Sequence, residues 1–470
     1  MNQESDPVTP AQTTRLLPQA YRPLFAHAGF KRLLPALAAS DLGDGMSVVA
    51  VAWLAIEIAP PGRSGLLLGA ALAAYALPGA LGALLFGRLL RRLPAARLLA
   101  ADSRIRAVLL GCVPLAWATG LLHPVLYVAL LAGSSVLHAW GNAGRYSLVA
   151  QMLAPEQRLA ANALLSSSVS ASIVIGPALA GFLAAVVSPA WLIGLDALSF
   201  AVLAVQVGRV RAPGGEPATE PKPGSGAGSE AGSEAGSTSE AASAAGTGAQ
   251  GGAVTGSDGP SAGLQLLRGQ PELLGVLALT WFFNFLYGPA EVALPLHVTD
   301  DLHAGAGLLG LYWALFGAGA VLGGLAAGAL RRFPLWPVTL GIVAGWGFAL
   351  VPFGLGASAP VTLACFTLGG LIYGPFTALS YTLFQERTPA AWLTTVLAAR
   401  SAALLTAGPV GTALGGPLIA LMGPRGVLAA SGIATVALAV VGAAVRIRST
   451  RRPASRPVHG SGPCGGAARP

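Results

Sequence analysis

The sequence predicts an all-α membrane protein with twelve transmembrane helices arranged as two six-helix repeats. The first observation behind this prediction is composition: 54% of the 470 residues are apolar and only 10% are charged, whereas about a quarter of a soluble domain is charged. The second is the recurrence of apolar runs of about 20 residues, the length that crosses a bilayer core. The third is a likeness between the two halves of the chain.

The apolar segments fall into two sets of six. The first set covers 33–58, 65–87, 98–120, 124–153, 160–187 and 190–207. The second set covers 272–298, 303–330, 335–355, 360–384, 392–422 and 425–445. The predicted units are a cytoplasmic arm at 1–32, a first bundle at 33–207, a linker at 208–271, a second bundle at 272–445, and a basic, disordered cytoplasmic tail at 446–470.

The linker at 208–271 is low in complexity, and its tetrapeptide at 228–231 repeats at 232–235. A segment rich in Ala, Gly, Ser and Glu cannot bury enough apolar area to offset the entropy of ordering it. We therefore predict a flexible cytoplasmic linker. A regulatory or partner-binding segment is the alternative interpretation.

Basic residues concentrate in alternate loops, beside the spans. The clusters lie in the arm, the linker and the tail, and after the second and eighth spans, where they contain Arg91, Arg92, Arg331 and Arg332. The opposite loops carry only Arg63 and Arg425. The positive-inside rule therefore predicts a multi-pass protein of the cytoplasmic (inner) membrane with both termini in the cytoplasm. Because the net charge of +9 is spread over these loops, it does not indicate a nucleic-acid partner.

Three pairs of motifs relate the two halves at nearly constant separation. Gly87 with Arg91-Arg92 corresponds to Gly328 with Arg331-Arg332, Tyr146 to Tyr381, and Gly176-Pro177 to Gly408-Pro409. The pattern indicates a duplicated six-helix unit whose copies are related by an axis along the membrane normal. We expect the glycines and prolines of these pairs to serve helix packing.

Several motifs carry a resemblance to a known family. They are Ser40-Asp41-Leu42-Gly43-Asp44-Gly45 in the first span, the segment at 155–163, and the segment at 176–181. On these motifs the chain resembles the major facilitator superfamily over nearly all of 33–445, and most of all its prokaryotic drug, macrolide and siderophore exporters. The resemblance implies alternating access, in which two fused halves in one monomer suffice. It also implies an acidic residue before the arginine after the second helix, and this chain has Arg91 there.

Asp44 lies about 16 Å along the first span, near mid-membrane, at 1.5 Å per residue. Asp41 lies three residues earlier on the same helical face. An ionisable residue at this depth faces a cavity or a partner, and two adjacent carboxylates favour proton binding by one of them. We predict that Asp44 and Asp41 couple transport to protons. The alternative is that Gly43 and Gly45 bend the helix while both carboxylates pair with basic residues.

The third span opens with charged residues near the predicted cytoplasmic face. Because Arg91 takes the place of the family's acid, we hypothesise that Asp102 pairs with Arg145 or Arg106 to close that face. Arg400 in the eleventh span is a further candidate partner. The alternative is that the arginines extend to the lipid headgroups.

The seventh span is the richest in aromatic residues. Aromatic rings with a few polar groups suit an amphipathic organic molecule, often a cationic one when a carboxylate takes part. The predicted substrate-cavity residues are Trp281, Phe283, Asn284, Tyr287 and Glu291, with Asn142 and Asp196 from the first half. The alternative is helix packing and an interfacial aromatic belt.

No phosphate-binding loop, catalytic triad or metal-ligand cluster stands out in the sequence. We therefore expect no enzyme activity and no cofactor, with the proton gradient as energy source. The expectation, resting on the family resemblance, is an exporter that exchanges small amphipathic organic molecules for protons. The alternatives are a solute importer or symporter of the same fold, and a non-transporting membrane receptor or scaffold.

Overall fold

In the computed structural model, the described residues are 22–85, 93–209, 270–330, 332–388 and 393–451. Within these ranges the chain is helical apart from short connections, and it contains no strand. This confirms the all-α fold class. Gly87, Arg91, Arg92 and Arg331 lie outside the described residues, as do 1–21 of the predicted arm, 210–269 of the linker and 452–470 of the tail.

The first half contains eight of the described helices. They are α1 Arg22–Ala26, α2 Ala28–Glu57, α3 Ser64–Leu85, α4 Ala95–Ala118, α5 Pro124–Ser135, α6 His138–Met152, α7 Pro155–Leu183 and α8 Pro189–Arg209. In the second half the described helices are α9 Pro271–Leu296, α10 Ala306–Leu330, α11 Leu335–Gly354, α12 Ala359–Tyr373, α13 Phe376–Arg387 and α14 Leu393–Arg451. A π-helical turn, His297–Asp301, extends α9.

The fourth and tenth predicted spans are each broken near the middle. In the first half the break lies between α5 and α6, where the Ser134 and Ser135 hydroxyls bond to backbone carbonyls of Leu131 and Ala132 and compete with the helix's own hydrogen bonds. In the second half it lies at 374–375, where Pro375 cannot continue the helical hydrogen-bond ladder. The matching breaks agree with an internal duplication.

The eleventh and twelfth predicted spans form one long element, α14, that is interrupted at Gly423. This residue has φ 71° and ψ 171°, a conformation that glycine adopts at little cost, and Pro424 follows it. Among the described helical segments, nine are long and apolar enough to cross a membrane, with α14 counted once. The total of twelve spans stays a prediction.

Within each half, helices approach closely at glycines. A Cβ atom at Gly176 of α7 would lie 2.5 Å from the backbone carbon of Gly45 in α2, which agrees with the packing role predicted for Gly176. Gly408 does not show the predicted packing role, because no atom of a neighbouring element in the described part of the chain lies within 4 Å of a Cβ built there. The close approach of α14 to α9 occurs one turn later, where a Cβ at Gly411 would lie 2.1 Å from the carbonyl oxygen of Phe285.

The two halves meet along two helix pairs, α7 with α10 and α3 with α14. A Cβ at Gly310 would lie 2.4 Å from the carbonyl oxygen of Pro177, and one at Gly416 would lie 2.8 Å from that of Gly65. These contacts lie toward the helix ends that face the predicted extracytoplasmic loops. The described parts of the halves are therefore closed against each other on that side.

Candidate functional site

Asp44 and Arg106 form an ion pair in the middle of the first half. The pair joins α2 to α4, with Arg106 Nη1 2.8 Å from Asp44 Oδ1. Tyr75 of α3 donates a second hydrogen bond of 2.8 Å to the same oxygen. The Arg106 guanidinium also lies over the Phe200 ring of α8, 4.5 Å from its centroid. The Arg106 side chain is 2% exposed and that of Asp44 is 32% exposed, so the pair is open to solvent on the Asp44 side only.

Asp41 and Arg145 form a second ion pair one turn away along α2. The Nη1 and Nη2 atoms of Arg145 lie 2.5 Å and 2.6 Å from the two carboxylate oxygens, the bidentate geometry that guanidinium and carboxylate favour. Ser168 of α7 donates a further hydrogen bond of 2.6 Å. The arrangement of Asp41 and Asp44 thus matches the alternative in which both carboxylates pair with basic residues.

The predicted pairing of Asp102 with Arg145 or Arg106 is not formed in this structure, and closure of the cytoplasmic face by such a pair stays a prediction. Among the described residues, no ion pair joins Asp102 to an arginine, because Asp44 and Asp41 on α2 take the two guanidinium groups. Asp102 is 4% exposed, and its Oδ1 has no hydrogen-bond partner in the described part of the chain. Arg106 also lies deeper than predicted, since α4 begins at Ala95 and places it at mid-helix.

Asp196 of α8 belongs to the same buried cluster. Its side chain is fully buried and accepts a 2.7 Å hydrogen bond from Ser47 of α2. The absence of a side chain at Gly43 permits this approach, since a Cβ there would lie 2.3 Å from Asp196 Oδ1. Asp196 was predicted as a cavity residue, and the structure places it beside the Asp44–Arg106 pair instead. Asn142, the other cavity residue predicted in this half, is half-buried on α6.

In the second half, the aromatic residues of α9 contribute to a larger aromatic cluster. Phe283 packs on Phe376 at a centroid distance of 4.5 Å. Tyr287 lies 5.7 Å from Trp346 of α11 and 6.1 Å from Tyr373 of α12. The sequence prediction included Phe283 and Tyr287 but missed Trp346 and Tyr373, whose own spans gave no sign that they would meet α9.

Two other predicted cavity residues of α9 form hydrogen bonds, one to a neighbouring helix and one within α9. Trp281 Nε1 donates a 3.2 Å hydrogen bond to Thr406 of α14. The Asn284 amide donates a 2.8 Å bond to the Thr280 carbonyl of its own helix. The contact of Trp281 agrees with the packing alternative, whereas the bond of Asn284 lies within its own helix and leaves its cavity role a prediction.

Glu291 lies one turn beyond Tyr287 on α9 and is half-buried. Within the described residues, no Lys, Arg or His nitrogen lies within ion-pair distance of its carboxylate. The Tyr287 hydroxyl is buried and has no hydrogen-bond partner in the same part of the chain. A carboxylate without a basic partner therefore lies beside aromatic rings and an unsatisfied hydroxyl.

The remaining predicted arginines make local contacts. Arg400 is 4% exposed, donates a 3.2 Å hydrogen bond to Ser380, and lies over the Tyr381 ring, 3.8 Å from its centroid. Its described contacts are thus within the second half. Arg332 is exposed and lies over the neighbouring Phe333 ring.

Comparison with known proteins identifies the family to which this architecture belongs. The family model of the Major Facilitator Superfamily matches residues 33–410. The chain belongs to the Major Facilitator Superfamily. As a member of this superfamily it is a multi-pass transporter that sits in a lipid bilayer and binds a small-molecule substrate, and it is not an enzyme.

Relatives within the superfamily cover different shares of the chain. An uncharacterized MFS-type transporter, y4rN, of Sinorhizobium fredii is 25% identical over 419 residues, 85% of this chain and 91% of that protein. The enterobactin exporter EntS of Shigella flexneri is 29% identical over 182 residues, 38% of this chain and 42% of that protein. A bacterial homologue of the human lysosomal transporter Spinster, solved in an inward-facing and unoccupied conformation, shares the fold with a TM-score of 0.60 at 14% identity, covering 90% of this chain and 96% of that chain.

Proposed function

We propose that this transporter exports small amphipathic organic molecules, cationic ones among them, in exchange for protons. The observation that supports the proposal best is Glu291, a carboxylate without a basic partner among the described residues, which lies near Tyr287 and Tyr373. A cation near a carboxylate and aromatic faces gains from both. The EntS relative, an exporter, supports the outward direction.

Energy would come from protons entering at the charged cluster of the first half. Each proton that moves inward releases roughly 2.3 kcal/mol per 100 mV of membrane potential, in addition to the pH-gradient contribution. Alternating access would then require the two halves to rock about the substrate. The closed contacts of α7 with α10 and α3 with α14 would part when the substrate leaves.

The proposal is tested by the accumulation of ethidium, a fluorescent organic cation, in cells that express the wild type or Glu291→Gln. We expect lower accumulation in wild-type cells than in cells without the protein, a difference that a protonophore abolishes. Glu291→Gln should lose most of this efflux, because it removes the charge and keeps the shape. Glu57→Gln, at an exposed helix end, is the matched control and should behave as wild type.

Other outcomes contradict parts of the proposal. Higher accumulation in wild-type cells would replace export with import. Efflux that persists with the protonophore would remove proton coupling. Equal efflux in Glu291→Gln and wild type would remove Glu291 from cation binding.

A further inference from the structure

The buried cluster of the first half contains more acidic than basic groups. Four aspartates face the interior of this half, and two arginines neutralise two of them through the pairs Asp44–Arg106 and Asp41–Arg145. Asp102 and Asp196 have no ion-pair partner among the described residues. A buried carboxylate without a counter-charge costs several kcal/mol, and binding a proton removes that cost.

Asp196 is the better placed of these two carboxylates to respond to movement. It is fully buried on α8 and touches α2 at Gly43, next to Asp44, besides accepting the hydrogen bond from Ser47. Asp102 instead lies against Gly141 of α6, where a Cβ would come within 2.1 Å of its Oδ2. A shift of α2 against α8 therefore changes the surroundings of Asp196 first.

Arg106 already lies at the surface of α8. Its guanidinium covers Phe200, one turn from Asp196 on the same helix, while it pairs with Asp44 of α2. Among the described residues, the charged and titratable groups that face Asp196 are Asp44 of α2, Tyr75 of α3 and Arg106 of α4. Arg106 is the one cation in this set, and besides Asp102 of its own helix the carboxylates that lie near it are Asp44 of α2 and Asp196 of α8.

From this arrangement we infer that Asp196 is a proton-binding site of the transport cycle. We also infer that protonation of Asp196 determines whether Arg106 pairs with Asp44 alone or also with Asp196. In the conformation described here the carboxyl group of Asp196 holds the proton and Asp44 alone holds Arg106. When the O–H bond of Asp196 breaks, the proton leaves to the solvent-accessible side of Asp44, and the new carboxylate attracts Arg106. Asp44 is then free to take up a proton or a cation. The inference rests on the proposed function for its place in the cycle.

Infrared difference spectroscopy on the purified full chain tests the proton site without any substrate. We expect a carbonyl-stretch band of a protonated carboxyl group that disappears in Asp196→Asn and shifts in Ser47→Ala, which removes the hydrogen bond to that group. Asp102→Asn removes the other unpaired carboxyl group, so a band that disappears only in this variant belongs to Asp102, whereas the band of Asp196 should persist. A spectrum in which Asp196→Asn and Ser47→Ala both match the wild type would overturn the inference.

Transport in proteoliposomes tests the role in the cycle. For one proton exchanged per ethidium ion, a pH difference of one unit sustains about tenfold accumulation in the wild type. Asp196→Asn should lose this accumulation and retain ethidium exchange in the absence of a gradient. Wild-type accumulation in Asp196→Asn would overturn the coupling role. Absence of gradient-driven transport in the wild type itself would instead overturn the proposed function, and the infrared result would still decide whether Asp196 binds the proton.

Discussion

The Asp41–Arg145 pair yields a quantitative prediction. Its side chains are 7% and 10% exposed, and two short hydrogen bonds join them. Removing one partner leaves a buried charge without compensation, which typically costs 3–5 kcal/mol in the free energy of unfolding, so we expect about that loss for Asp41→Asn. Arg145→Leu should cost a similar amount, because it leaves the Asp41 carboxylate with only the hydrogen bond from Ser168.

The double variant should be more stable than the sum of these losses predicts. The second substitution removes the charge that the first leaves unpaired, so the two effects should not add, and the coupling energy in the cycle should reach about 2–3 kcal/mol, the upper range for residues in contact. The assay is denaturant unfolding in detergent, followed by tryptophan fluorescence. Additive effects within about 0.5 kcal/mol, as found for independent sites, would refute the reasoning.

Three further predictions concern helix contacts. Gly310→Ala should weaken closure between α7 and α10, because its Cβ would lie 2.4 Å from the Pro177 carbonyl oxygen, whereas Gly307→Ala should not, since its nearest contact is 3.6 Å. The measurement is the labelling of a cysteine introduced at Leu183, and equal labelling in the two variants would contradict the prediction. Gly411→Ala should lower stability in a thermal unfolding assay. Gly408→Ala should leave stability unchanged or raise it by up to about 1 kcal/mol, because Ala has the higher helix propensity. A variant at Gly408 less stable than the one at Gly411 would show that the helices approach each other elsewhere. Asp301 forms ion pairs with Arg425 at 3.0 Å and with His297 at 2.8 Å, at a partly exposed helix end. Asp301→Asn should therefore lower the free energy of unfolding by about 1 kcal/mol or less. A loss in the same denaturant assay as large as that expected for Asp41→Asn would contradict this prediction.

Much of the fold was predictable because hydropathy and helix breakers act locally. The starts and ends of α8, α10 and α11 lie within a few residues of their predicted bounds, and the predicted break between the last two spans falls at Gly423. The mid-helix breaks were missed, because the serines of α5 differ little from ordinary packing residues when only the sequence is read.

The ion pairs were less predictable because they join helices far apart in the chain. Asp41 and Asp44 were identified from their depth, yet their partners depend on how α4 and α6 rotate against α2, which helical periodicity alone does not determine. Tyr75 was missed although its hydroxyl is the only polar side-chain group in an otherwise apolar second span. That isolation was the available signal for a buried hydrogen bond.

The glycine contacts between the halves have a mechanical consequence. At Gly310 and Gly416 backbone packs against backbone, so separating the two halves there exposes little side-chain surface. A buried leucine at such a position would instead add roughly 1.5–3 kcal/mol to the free energy needed for separation. At these two positions the interface fits closely and buries little apolar side-chain surface. Such contacts can separate and re-form many times at small energetic cost, because complementary backbone shape rather than strong attraction holds them together.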